Sequence, residues 1–226
     1  MPVPRVEFSD ERLPNGLRLI VAEDHLVPVA AINLWYGVGS KHEEPGRTGF
    51  AHLFEHLMFK GSAHVKPEDH DRIITNTGGV ANAYTQDDVT VFWETFPENY
   101  LEKVLWMEAD RMSTLDVSEE NFKSEREVVK EERLTRIESP PYGDLLEVLY
   151  ANAYDVHPYK HVTIGSMKDL DAATIEDVRE FYHTYYVPNN ATLVIAGDFK
   201  TERRWIGLRS ISEKFRKVKN QSCGRI

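Results

Sequence analysis

The stretch Gly49-Phe50-Ala51-His52-Leu53-Phe54-Glu55-His56-Leu57-Met58-Phe59 constrains this chain most, because it reads as a helix with two separate tasks. At about 100° per residue, His52, Glu55 and His56 share one arc, while Phe50, Leu53, Phe54 and Leu57 fill the opposite one. Two histidines four apart project the same way, with Cβ atoms roughly 5–6 Å apart, so their imidazoles can clip one metal ion. Glu55 lies one turn from His52 and beside His56. It can reach a water at that ion without ligating it, as a general base in metal-assisted hydrolysis must. The apolar arc fixes the helix against a core and leaves the polar arc free.

A hydrolytic metal commonly has three protein ligands and one open position, so the third ligand comes from elsewhere in the chain. Ser118 reads as the N-cap of a helix running to about Ile137 and stopped before Pro140-Pro141. On that helix Glu125 and Glu132 fall on the arc of Phe122 and Val129, whereas Glu127 and Glu131 lie with Lys123 and Lys130 on the solvated side. The geometry prefers Glu132 to its neighbour Glu131. His157 and His161 also stand four apart, but Pro158 and a loop context remove the helical reason for them to converge. His25, His42, His64, His70 and His183 have no helical partner at the needed spacing and read as ordinary polar positions.

The rest of the chain supplies a frame for these helices. Val6 to Ser9 and Leu17 to Ala22 read as strands joined through Asn15-Gly16, a hairpin turn, and Val27 to Tyr36 as a third strand buried on both faces. Gly61 reads as a C-cap, and Pro67 opens a helix to about Thr77. Val80 to Thr85 and Val89 to Thr95 form a second hairpin around Gln86-Asp87-Asp88. Helices follow over Glu98 to Met112, Tyr142 to Tyr154 and Thr174 to Tyr186, then a buried strand over Ala191 to Ala196 and a weaker helix from Thr201 to about Phe215. Strands before and after a block of helices, without regular alternation, predict an α+β domain whose largely antiparallel sheet is covered by helices. This domain spans residues 1–215, with residues 216–226 a basic tail.

The inverted spacing is that of the inverzincin metallopeptidases. Its surroundings, Tyr36-Gly37-Val38-Gly39-Ser40-Lys41, Gly46-Arg47-Thr48-Gly49, Gly61-Ser62 and Gly78-Gly79-Val80-Ala81-Asn82-Ala83-Tyr84-Thr85, resemble successive landmarks of the pitrilysin or insulinase family of zinc peptidases. The resemblance runs from about Val6 to Asp198 and is greatest to mitochondrial processing peptidase and its bacterial relatives. It implies one zinc per chain, held by His52, His56 and a glutamate about 76 residues further on, the position of Glu132. It also implies Glu55 as general base, Glu125 as a glutamate supporting the site, and an edge strand at Asn82, Ala83 and Tyr84 that pairs with extended peptide. A local reading leaves Asn82 bonding its own backbone and Glu125 on the helix surface. In the family such a domain is followed by a second of similar fold, so a homologous second half or subunit is an implied partner, with self-association a further possibility.

Composition narrows the alternatives. The 226 residues carry 37 acidic and 27 basic side chains, a net charge of −10, with no basic stripe, which argues against nucleic acid. No apolar run reaches the roughly 18 residues of a membrane span, so the chain reads as soluble, cytoplasmic or exported after removal of a signal. Two other functions fit parts of the pattern. One is a structural, inactive member of the same family, against which stands the complete set of His52, Glu55, His56 and Glu132. The other is a lyase of the S-ribosylhomocysteinase type, which needs a catalytic cysteine and finds only Cys223, near the C-terminus.

Overall fold

The computed structural model describes residues 6–200. Its core is one six-stranded sheet. The strands are β1 (Ser9–Arg12), β2 (Arg18–Glu23), β3 (Val29–Tyr36), β4 (Val80–Thr85), β5 (Thr90–Pro97) and β6 (Ala191–Gly197). Seven helices join them: α1 (Phe50–Leu57), α2 (Asp69–Asn76), α3 (Leu101–Thr114), α4 (Glu119–Arg133), α5 (Leu145–Ala153), α6 (Met167–Ala172) and α7 (Ile175–Tyr185). The expected α+β class is present. None of the described helices is long and apolar enough to cross a membrane.

The strand order is β1-β2-β6-β3-β5-β4, and every pairing is antiparallel except β2 with β6. The last described strand is therefore inserted between the first two hairpins, and the domain closes on its own N-terminal half. This leaves β1 and β4 as the two edges. Alternation sets the faces: Leu19 and Val21 of β2, Ala30, Ile32, Leu34 and Tyr36 of β3, and Leu193 and Ile195 of β6 are all buried.

Several expected bounds shift for physical reasons. The third strand begins at Val29, with Val27 exposed, and its outward residues are only partly covered, so it is buried on one face rather than two. The first strand is Ser9–Arg12, leaving Val6 and Phe8 exposed, because the turn at Asn15-Gly16 sets the register at Arg12 opposite Arg18. Ser118 caps α4 as expected, but the regular helix stops at Arg133 and continues as a wider turn over Leu134–Glu138. Tyr142 has φ +60°, so α5 starts only at Leu145. The expected helix from Thr201, the boundary at residue 215, the tail and Cys223 lie outside the described residues.

Candidate metal centre and active site

The histidine-bearing helix α1 is fixed at both its end and its face. Its N-terminus is closed by the buried Glu43, whose carboxylate accepts from the N–H groups of Gly49 at 2.9 Å and Ala51 at 2.8 Å. Gly49 has φ +95°, and a Cβ there would meet the carbonyl oxygen of Ile164 at 2.7 Å, so the tight entry needs glycine. Phe50, Leu53, Phe54 and Leu57 are buried, and Phe54 stacks with Phe181, Tyr182 and Tyr186. The opposite arc, carrying His52, Glu55 and His56, lines an open cleft of about 970 Å³.

Helix α4 packs beside α1 and brings two glutamates to that arc. Glu132 Oε2 lies 3.2 Å from His56 Nε2 and 3.7 Å from His52 Nε2. Each of the three residues offers a donor atom within 4.8 Å of the other two, a spacing that fits a single metal ion with two imidazoles and one carboxylate. The other oxygen of Glu132 is held by Arg136 at 2.5 Å, which leaves Oε2 facing the histidines. Glu131 is exposed. Glu125 is buried rather than on the helix surface: Oε2 lies 3.5 Å from His56 Nδ1 and Oε1 lies 3.0 Å from Lys60.

The electrostatics of the cluster follow from burial and neighbours. Burial, reinforced by His56, pulls His52 down to about 4, so its imidazole is neutral and able to ligate. Burial also pulls on His56, but the hydrogen bond with Glu125 and the charge of Glu132 outweigh it and raise the group. Burial pushes Glu55 above the usual carboxylate range, against the pull of a hydrogen bond from Thr85. Such a carboxylate is a stronger base than one in water.

Edge strand β4 crosses the same cleft, where Asn82, Ala83, Tyr84 and Thr85 contribute to the lining. Asn82 Oδ1 accepts from the Ala83 N–H at 2.8 Å, the local self-bond that its residue type favours. Thr85 donates its hydroxyl to Glu55 Oε2 at 2.6 Å. His157 and His161 do not converge: His157 packs against Tyr159, and His161 turns towards Glu43.

Sequence reasoning missed Glu43, which closes the turn before α1, Lys60 and Thr85, whose partners are distant in sequence, and Arg136, whose spacing of four from Glu132 on the expected helix could have found it. It also missed His70, which is buried and lies 3.2 Å from both Glu94 and Glu108. That trio has metal-like spacing too. Here, however, Arg111 sits 2.5 Å from Glu108 Oε1, the same oxygen that faces His70, so a guanidinium already occupies the cation's place. Arg111 also lies over the Phe92 ring, 4.4 Å from its centroid. This is a buried ion network between β5, α2 and α3.

Two helices packed on a mixed sheet bring two imidazoles and a carboxylate to one point with Glu55 beside them, a donor set that could hold one metal ion. Residues 18–166 match the insulinase family (peptidase family M16), and the chain belongs to it. Residues 172–220 match the domain described as the peptidase M16 inactive domain. The chain is 36% identical over 192 residues to the zinc protease PqqE of Helicobacter pylori, covering 84% of this chain and 43% of that protein. It is 27% identical over 190 residues to a probable mitochondrial-processing peptidase subunit beta of Arabidopsis thaliana, covering 84% of this chain and 36% of that one. A crystal structure of a protease from Helicobacter pylori superposes with a TM-score of 0.93 at 32% identity, over 97% of this chain and 53% of that chain. The first half of the periplasmic protease PqqL from Escherichia coli shares the fold, with a TM-score of 0.85 at 23% identity over 99% of this chain and 49% of that chain. The chain thus spans less than half the length of the curated relatives it matches.

Proposed function

We propose that this chain is the metal-bearing half of a zinc metalloendopeptidase that hydrolyses extended peptides. The observation that carries the reading is the convergence of His52, His56 and Glu132 from two helices, with Glu55 on the same arc and an edge strand across the cleft. One zinc per chain would be held by His52, His56 and Glu132, and when bound it would supply Lewis-acid chemistry, polarising the scissile carbonyl and acidifying a water. Glu55, raised by burial, takes the proton of the attacking water and returns it to the leaving amine. Glu125, tied to Lys60, orients the His56 ring through Nδ1. The outer edge of β4 at Asn82, Ala83 and Tyr84 binds peptide backbone by adding a strand, which gives affinity without reading side chains. For a peptide carbonyl to take the Ala83 N–H, the side chain of Asn82 has to release it.

Residues 1–215 then form the metal-bearing domain, and a homologous second half completes the enzyme by closing the open cleft. A second reading, a catalytically weak or structural subunit of the same family, draws on the match of residues 172–220 to the inactive domain. Peptide hydrolysis separates the two. The chain, supplied with its second half, should cleave a mixture of short peptides, lose that activity to a chelator, regain it with zinc, and lose it on Glu55→Gln. A Glu55→Gln variant that cleaves peptides like the wild type removes Glu55 from the chemistry and the proposal with it.

A further inference from the structure

We propose that Thr85 is a positioning residue, which ties the peptide-binding edge strand to the general base and holds Glu55 in its working orientation. The inference rests on the reading of Glu55 as that base. The geometry is specific. Thr85 Oγ1 donates to Glu55 Oε2 at 2.6 Å, a short, charge-assisted bond that commits one carboxylate oxygen and leaves Oε1 to receive the proton. Threonine is stiff at χ1, so its hydroxyl direction is set by the backbone of β4.

That backbone is itself anchored. Thr85 pairs with Thr90 across the hairpin, and the buried Thr90 donates to the carbonyl of Val38 at 2.9 Å. Glu55 stands on α1, which Glu43 and its buried aromatic face hold in place. The bond therefore joins two fixed elements, as a supporting contact to a catalytic group requires. Alternation places Thr85 on the same face of β4 as Ala81 and Ala83, which pack against the core. Two alanines and a threonine on that face keep side-chain bulk low where α1 approaches. A peptide that adds itself to the outer edge of β4 pairs with backbone and does not touch the Thr85 hydroxyl. Thr85 thus acts on the chemical step and not on peptide affinity.

The test compares Thr85→Val, which keeps the shape and removes the donor, with Thr85→Ser, which restores a hydroxyl. Both are studied in the active enzyme, the chain together with its second half. Thr85→Val should lower kcat about tenfold or more, as expected for loss of a hydrogen bond to a charged group. Its zinc content and its Kd for a peptide with a reduced, uncleavable bond should match the wild type within about twofold, and its melting temperature should change little. Thr85→Ser should recover kcat to within about threefold. A Thr85→Val enzyme with unchanged kcat overturns the proposal. So does a loss that appears in peptide Kd, zinc content or melting temperature instead of kcat, or one that serine does not relieve. Glu55→Gln in the same assay keeps the two levels apart: if it retains full kcat, the general-base reading itself fails.

Discussion

Glu125 reaches His56 from the neighbouring helix, its Oε2 3.5 Å from Nδ1, while Lys60 holds its other oxygen at 3.0 Å. The contact turns the ring so that Nε2 faces Glu132 at 3.2 Å. A carboxylate on the far nitrogen of a ligating histidine fixes ring orientation and strengthens the ligand, and its loss typically costs about 10- to 100-fold in metal affinity. Glu125→Gln should weaken zinc binding by about that factor in a chelator competition. Wild-type affinity in this variant would reduce Glu125 to a packing role.

Ala83→Pro deletes a backbone donor at the exposed edge of β4, where the sheet itself tolerates proline. If peptide pairs with this edge, the substitution raises KM or abolishes cleavage while the melting temperature changes little. Unchanged kinetics would place the substrate elsewhere in the cleft. Because only extended chains can add a strand, compact proteins should be cleaved far more slowly than short peptides.

The two readable parts of the site are those with a local pattern. The arc of His52, Glu55 and His56 follows from residue spacing on one helix, and the preference for Glu132 over Glu131 follows from the apolar stripe of a second. The apolar flank left Glu125 open between an inward and a surface position, and the fold buries it. Thr85 carried no local signal, whereas Arg136 stands four residues past Glu132 on the expected helix, a spacing that does suggest an ion pair. Thr85 is a strand-end polar residue whose partner is set by how α1 crosses β4, and Arg136 lies on the wider turn that continues α4. His70 was misread because its partners Glu94 and Glu108 come from a strand and a helix, which no spacing rule along the sequence connects. In the fold, the hairpins were legible from Asn-Gly and alternation. The insertion of β6 between β2 and β3 is a long-range pairing that local sequence does not encode.

Acid should destabilise the domain through Asp110. Burial pushes this carboxyl up, but hydrogen bonds from Ser62, His64 and Thr114 outweigh it and hold it below its ordinary value of 3.8. A carboxyl depressed in the folded state contributes stability that is present above 3.8 and lost as pH falls through the lower folded value. Urea midpoints from pH 7 down to pH 2 should therefore fall more steeply in the wild type than in Asp110→Asn. Parallel curves would show that Asp110 is not a source of the acid sensitivity.

The chain should be weakly active alone. Its cleft is open, and it spans less than half the length of the curated relatives it matches. A second half that closes the cleft would exclude water and add donors for the developing oxyanion, a contribution of roughly 3–4 kcal/mol when one such donor is lost. Adding that half should raise turnover by at least about a hundredfold. Full activity from a strictly monomeric chain, established by sedimentation at the assay concentration, would contradict this division.

Metal content is the most direct measurement of the central claim. Wild-type protein and the Glu131→Gln variant should each carry one zinc per chain after dialysis against trace metal, because Glu131 is exposed and Glu132 faces both histidines. Glu132→Gln should lose most of its zinc, and His52→Ala or His56→Ala should lose it as well. Zinc retained by Glu132→Gln and lost by Glu131→Gln would contradict the site described here.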